Sequence, residues 1–562
     1  MGITIKTKEN IILKNTVKNA CNCKPNNKLL LCCCLLLPFS AVSPAFADES
    51  CIAWTDDFKN KPNLIVGKVE INAADVFDLN NPKESKTIHR VANNLHVSTK
   101  PVVIRRQLLF KEGEIFQPRK LSESERIVRS NRYIQDADIM PSELCGNRVN
   151  IQVNTTDKWT LSPGVSFSQS GGNSKTGFEI QEHNLLGSGK GLVVGYKSDE
   201  ERDETFLSYT NSLFLGTRQK LYASVQDNSD GKGHEVDLSL PFFELDSRKA
   251  WGLSTSSLSE ETSLYDKGDV SSKVSVKKSE HSAYWGWSDG LESDDTDTDD
   301  SAKNEVTRYK VGWKYTESDY KDYYSLTESY PWFEYEHDSE SYTTRTNFKS
   351  MGEVEDITLG TNYTLGVGLL REEFGSTDNQ LNLNASFEKG YEFENSLAFI
   401  NMEANSYIGS GELEGDSLNL QAEWYLFDEH GSDIYLSGTF KYQSNLQPDE
   451  QLLLGGDTGL RAYPKGYESG DKSLVFTAEK RYHFDWYPLH LAKFGAAVFA
   501  DVGSAWGDGK DLDVLADVGV GLRMIPTRSS ITKAIHIDLA FPLNGDSDVD
   551  DVQLSVNTEN SF

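Results

Sequence analysis

The chain has 562 residues, with 56 basic and 86 acidic side chains, a formal net charge of -30 and 38% hydrophobic residues. Such a length points to three or four units unless one of them is a large barrel. The acidity excludes nucleic-acid binding, which needs a basic surface to release counterions from phosphate, and 43 Gly, 24 Tyr and 26 Phe beside five Met argue against a helical protein. In chain order, residues 1–28 carry Lys6, Lys8, Lys14, Lys18, Lys24 and Lys28 against one acid, Glu9. An apolar run from Leu29 to Pro38 follows, then Ala45-Phe46-Ala47, the small-x-small pattern cut by signal peptidase. Residues 1–47 therefore read as a signal peptide with a long basic start. The apolar run, extended by Ala41 and Val42, is about 15 residues, short of the roughly 20 that a membrane-spanning helix needs. Cleavage after Ala47 leaves a charge of -35 and two of the seven cysteines, Cys51 and Cys145. In an oxidising compartment such a pair either forms a disulfide or stays as two free thiols. No later stretch approaches 18 consecutive apolar residues, which leaves an exported soluble protein or an outer-membrane β-barrel.

After a linker at 48–62, residues 63–158 read as a small α/β domain. Asn63 to Leu79 is a strand region, with Leu64, Val66, Val69, Ile71, Val76 and Phe77 as its apolar members. In Pro82 to Ser98, Ile88, Val91, Ala92 and Leu95 recur at helical spacing and predict an inward helix face. Val102 to Phe110 is a second apolar segment. Pro118 opens a further helix, with Leu121, Ile127, Val128 and Tyr133 inward. Ile134 to Ile139 and Arg148 to Asn154 read as a closing strand pair turned at Gly146-Asn147. The segment Arg105-Arg106-Gln107-Leu108-Leu109-Phe110-Lys111-Glu112-Gly113, the Ser/Glu-rich helix with Leu121 and the following Arg132-Tyr133-Ile134 resemble a polypeptide-transport-associated (POTRA) domain. That resemblance implies a periplasmic module whose exposed strand edges pair with an extended client.

From Trp159 to Phe562 helical periodicity gives way to alternation with period two, in which successive side chains point to opposite faces. In 514–524, Val514, Ala516, Val518, Val520, Leu522 and Met524 share one face, while Leu515, Asp517, Gly519, Gly521 and Arg523 share the other. Ile535, Ile537, Leu539, Phe541 and Leu543 alternate likewise. Apolar residues facing lipid and polar residues facing the lumen are the pattern of a transmembrane barrel. Connections are uneven: Gly187-Ser188-Gly189 is short, while the acidic stretch 288–304 reads as a long external loop. Aromatics near strand ends (Trp285 and Trp287, Trp332 and Phe333, Trp424 and Tyr425) read as interface girdles. About 400 residues at roughly 25 per strand and connector predict about 16 strands. The last strand carries Val552, Leu554 and Val556 on one face and ends at Phe562 in the same phase, which resembles the assembly signal of bacterial outer-membrane barrels.

Residues 452–464 read Leu-Leu-Leu-Gly-Gly-Asp-Thr-Gly-Leu-Arg-Ala-Tyr-Pro, in a long connection, and 499–503 read Phe-Ala-Asp-Val-Gly. This pair is similar to the two hallmark motifs of the BamA/TamA superfamily of outer-membrane assembly and translocation barrels: an Arg-Gly-aromatic tip on a long loop and an aspartate flanked by glycine on a late strand. On the residues alone, Phe494, Ala496, Val498, Ala500 and Val502 face lipid, and Phe499, Asp501 and Gly503 face the lumen. Leu474, Phe476 and Ala478 face lipid, which sends Glu479 and Arg481 inward. A charge facing lipid costs a few kcal/mol near the bilayer centre, so this phase is enforced. The resemblance implies a loop motif of Gly455, Gly456, Leu460, Arg461, Ala462 and Tyr463 that folds into the lumen. There Arg461 would meet Asp501, with Glu479 as a second acceptor, through paired charge-assisted hydrogen bonds. Ala462 departs from the family's glycine, and a methyl there restricts the backbone of the tip.

No Gly-x-Ser-x-Gly elbow and no His-Glu-x-x-His metal pattern occur, so no enzyme, cofactor or metal site is expected. The resemblance implies insertion or translocation of outer-membrane or secreted polypeptides, with lipid around the barrel and a periplasmic or inner-membrane partner reached through the POTRA-like domain. Two other readings stand beside it: a two-partner secretion transporter for one exoprotein, and a passive or structural surface barrel with no client.

Overall fold

Alternation of apolar and polar residues along nearly the whole second part of the chain leaves each strand one apolar side, and such strands are stable only when paired on both edges. The computed structural model describes residues 51–559, apart from residue 60, segments 171–172, 292–303, 410–414, 429–431 and 531–532, and residues 508 and 548. The expected signal peptide and Phe562 lie outside the described residues. Twenty antiparallel strands close into a barrel, from Leu161–Ser170 through to Gln553–Glu559. The count exceeds the expected 16 because many connections shrink to two residues, as at 229–230, 267–268 and 394–395. Among the described residues no helix is long and apolar enough to cross a membrane.

The alternation predicted from sequence sets the two faces. Val498, Val502, Val518, Val520, Leu522, Ile537, Leu539, Phe476 and Leu554 are exposed on the outside. Glu479, Arg481, Asp501, Asp517, Arg523, His536 and Asp538 are buried inside. Trp285, Trp287, Phe333 and Trp424 join the outer face. Tyr425 does not: it is buried inward, its ring tilted against Phe348 with centroids 4.7 Å apart. Trp332 also turns inward, against the cluster of Leu326, Tyr330 and Leu370.

Before the barrel lies a four-stranded sheet in the order β1-β3-β4-β2, with β1 Cys51–Ala53, β2 Ile65–Ala74, β3 Ile134–Cys145 and β4 Arg148–Asp157. Three helices accompany it, α1 Thr87–Leu95, α2 Pro101–Arg105 and α3 Pro118–Arg129, of which α2 and α3 supply residues to its core. Its core comprises Val66, Ile104, Leu108, Phe110, Leu121, Val128, Ile134, Val149, Ile151 and Val153. Pro at the first turn of α2 and α3 fits the site where a missing N–H costs nothing. The predicted inward face of α1 is wrong. Ile88, Val91 and Leu95 are exposed, and the buried residue is His89, stacked on Phe77 at 4.6 Å. The helix docks through its polar side, because His89 Nε2 lies 2.8 Å from Leu489 O on a barrel turn.

Ser50–Phe562 forms one unit, and the domain is tied to the mouth at which the first barrel strand begins. Lys100 N–H donates to Gly187 O, Arg218 Nη2 to Leu108 O, and Leu245 N–H to Glu123 Oε1. Ser288 and Glu305 flank the acidic stretch and belong to this same mouth, since Arg308 Nη2 donates to Leu245 O. The described flanks of the stretch expected as an external loop, up to Leu291 and from Asn304, thus lie at the domain-side mouth, while residues 292–303 lie outside the described residues.

Candidate functional site: the luminal loop and its charged cluster

Residues 445–471 join the strands Ser432–Ser444 and Lys472–His483 at the mouth far from the domain. A short pair, Leu452–Leu454 with Glu468–Gly470, forms its stem. The stem turns on glycines: Gly455 has φ of 117°, and a Cβ there would lie 2.1 Å from Pro464 O. Only glycine fits so close a backbone crossing. Leu454, Leu460, Ala462, Tyr463 and Tyr467 then pack with Phe499, Ala505, Leu515 and Ala540, which places the loop inside the barrel. Gly456 and Leu460 close the tip with a backbone hydrogen bond of 3.0 Å.

Arg461 projects from this tip into a set of acids supplied by the wall. Its Nε donates to Asp501 Oδ2 at 2.8 Å and its Nη2 to Asp501 Oδ1 at 3.0 Å. Nη1 donates to Glu479 Oε1 at 2.8 Å and lies 3.5 Å from Asp538 Oδ2. The guanidinium sits 3.4 Å above the Phe499 ring in a cation–π arrangement. Arg481 Nε donates to Glu479 Oε2 at 2.9 Å, and Arg523 pairs with Asp538. Three arginines thus pair with three carboxylates, Glu479, Asp501 and Asp538, and a fourth, Asp517, lies beside Asp501. Asp501 and Asp517 stand directly opposite in the strand register, which is repulsive by itself. The Ala462 N–H relieves part of this by donating to Asp517 Oδ2 at 3.2 Å. Ala462 is fully buried, so the tip docks with its methyl in place. The Tyr463 hydroxyl lies 2.9 Å from Ala516 O and 2.8 Å from Asn544 O, anchoring the loop to a second strand end. At Gly503 an added Cβ would meet Leu474 O at 2.8 Å, so the strand needs a residue without a side chain there.

The structure therefore brings Arg461, Glu479, Arg481, Phe499 and Asp501 together, and adds Asp517, Arg523 and Asp538. The sequence carried a signal for these three: each falls on the inward phase of its strand, where a buried charge needs a partner. Val552 and Leu554 face outward. They border the seam at which the last strand meets the first. Among the described residues the register between the first and last strands holds one pair, Val556 with Gln169. One side-chain bond accompanies it, from Ser168 Oγ to Asn557 Oδ1 at 2.6 Å. On its other side, the last strand is laddered from Ala534–Glu559 to Ala540–Gln553. Cys51 and Cys145 face each other between β1 and β3 and are disulfide-bonded. With Glu143 they make the one three-ligand grouping found among the described residues, but the disulfide occupies both sulfurs.

No protein-family model matches the chain, and no curated protein matches it. Among solved structures it is similar to BamA from Haemophilus ducreyi lacking POTRA domains 1–3, at 14% identity and TM-score 0.39, covering 87% of this chain and 84% of that one. It is also similar to CdiB from Acinetobacter baumannii, at 13% identity and TM-score 0.44, covering 90% and 77%. CdiB from Escherichia coli aligns at 12% identity and TM-score 0.45, covering 88% and 76%. These TM-scores lie below 0.5 and carry no inference about this chain's activity.

Proposed function

We propose that this chain is an outer-membrane barrel of the BamA/TamA superfamily, with a POTRA-type domain in the periplasm, that assists insertion or translocation of polypeptides. The observation that carries this reading is the luminal loop, held by Arg461 against Asp501 and Glu479 of the barrel wall. The barrel closes by pairing its last strand with its first, among the described residues at Val556 and Gln169. Were that junction to open, the backbone donors and acceptors of its two edges would be a template for an incoming strand. The loop locked through Arg461 braces the wall beside that junction, because Asp501, Asp517 and Asp538 belong to the three strands that precede the last one. The α/β domain adds a second strand edge: β1 covers β3 only at Glu143–Cys145, and farther along side chains of α3 stand in for a strand, Arg129 on Ala137 O and Glu125 on the Ile139 N–H. We assign no catalytic step to the chain.

The test is a reversible lock on the seam. Gln169→Cys with Val556→Cys, oxidised, should stop accumulation of new outer-membrane or secreted polypeptides, and reductant should restore it. Unmodified protein with and without reductant controls for the Cys51–Cys145 bridge. If the oxidised pair supports the same accumulation as the reduced pair, the seam is not the working site. Depletion separates the remaining readings: loss of many outer-membrane proteins supports an assembly role, loss of one exoprotein supports a dedicated transporter, and no loss supports a passive barrel.

A further inference from the structure

The connection between the tenth and eleventh barrel strands, Tyr324–Ser339 and Thr361–Leu370, is not a simple turn. It forms a separate hairpin in which Tyr342–Thr346 pairs with Val354–Thr358. The hairpin starts at the domain-side mouth, and its tip is buried against the inner wall. Phe348 is buried among Leu397, Phe399 and Tyr425, which face inward from the thirteenth and fourteenth strands. Met351 is buried against Ile525 and Ala534 of the eighteenth and nineteenth strands. The hairpin thus crosses most of the mouth from the wall where it begins. Its tip is preorganised: Glu355 accepts from the Phe348, Lys349 and Ser350 N–H groups at 3.0–3.1 Å.

The small domain holds this element from outside the barrel. Arg129 of α3 donates to both oxygens of Asp356, at 2.8 and 2.7 Å. Arg126, one turn earlier, donates to Glu340 at 2.8 Å and lies 4.1 Å over the Tyr342 ring. Lys158, in the segment leading into the first strand, pairs with Glu353 at 2.9 Å. All three cations are at least half-buried, so these pairs are weakly screened. Yet α3 and the hairpin are not packed as one core: a cavity of about 530 Å³ lies between them, lined by Arg126, Arg129, Tyr342, Val354 and Asp356 with Phe243 of the rim. Charged contacts across a cavity can break and reform without repacking a core, whereas an interdigitated apolar contact cannot.

We infer that the hairpin Tyr342–Thr358 is a plug in the domain-side mouth, latched by Arg126, Arg129 and Lys158, so that displacement of α3 frees it and opens the lumen. The plug needs no client, and this inference stands apart from the reading of the seam.

The experiment measures conductance of the full chain in planar lipid bilayers. Residues 343–357 are replaced by an Asn-Gly turn, since Tyr342 and Thr358 already face each other across the hairpin base. Because the far-side loop also enters the lumen, the replacement is made alone and with Arg461→Ala. The expected result is a conductance rise of roughly tenfold or more over the matching background, as for a barrel whose interior becomes a water-filled channel. No rise in either background overturns the plug. The latch is tested separately with Lys158→Cys and Glu353→Cys joined by a short cleavable bismaleimide, in chain whose folding is verified by heat-modifiable migration. Linked protein should lose the spontaneous openings of unlinked protein and regain them on cleavage. Equal opening in both states overturns the latch.

Discussion

Arg461 sits where its loss is costly. It pairs with Asp501, which faces Asp517 across adjacent strands, and with a glutamate shared with Arg481. Removing one partner of a buried ion cluster leaves uncompensated charge, typically about 3–5 kcal/mol. Arg461→Ala should therefore lower the temperature at which the compact, fast-migrating gel species is lost, and expose the 445–471 loop to external protease. Arg461→Lys should fall between, because a lysine keeps the charge but not the two-pronged contact with Asp501. If Arg461→Ala melts and resists protease like the unmodified chain, the cluster does not brace the loop. Glu84 offers a pH-dependent counterpart outside the barrel wall. Burial alone would raise its carboxyl pKa, but the Asp78 N–H, His490 and Arg528 outweigh burial and hold it below the ordinary 4.5. A depressed carboxyl contributes stability above its unfolded value, and that contribution is lost as pH falls through the folded value. The melting difference between unmodified protein and Glu84→Gln should be steady at neutral pH and shrink well below pH 4.5. A difference unchanged down to strong acid would show that the carboxylate does not clamp the domain to the rim.

At the scale of elements, periodicity told what forms but not always which side is covered. α1 has its predicted helical spacing, yet Ile88, Val91 and Leu95 point away from the domain core. The barrel turn at Leu489 took the His89 side instead. β1 shows another element-scale dependence. It has three residues and is exposed along its length, so pairing with β3 alone would hold it weakly. The Cys51–Cys145 bridge closes a separation of 94 residues. By the chain-entropy argument, losing such a bridge costs about 4–5 kcal/mol. Cys51→Ser with Cys145→Ser should lower the melting temperature of the domain and open the 54–62 segment to protease. Unchanged melting would mean that β1 adds nothing to the domain. The plug hairpin is also an element-scale finding: the local sequence has strand residues around Asn347–Gly352, but nothing local says that the tip reaches the opposite wall.

For the whole molecule, the net charge of -30 no longer conflicts with a membrane setting. A barrel needs only every second strand residue to be apolar, so acids can fill the lumen and the connections while the outside stays greasy. The two mouths are closed differently. On the far side the loop enters under the control of Arg461, while on the domain side the hairpin enters under the control of α3. A conformational change in the small domain can thus reach the lumen without passing through the wall.

What the sequence by itself determined was periodic or short-range. The inward phase of Glu479, Arg481, Phe499, Asp501 and Gly503 follows from alternation, because a one-residue slip would turn every charge toward lipid. The α/β order before Trp159 follows from the switch between two periods. The tertiary structure alone decided what depends on closure. Twenty strands rather than 16 follow from turn lengths that composition does not fix. The meeting of Asp517, Arg523 and Asp538 with Arg461 depends on how adjacent strands stagger. The side on which Ser288 and Glu305 lie depends on counting strand reversals. The span of the hairpin depends on the barrel's width. Each of these is a long-range geometric sum over many residues, and no local window of sequence contains it.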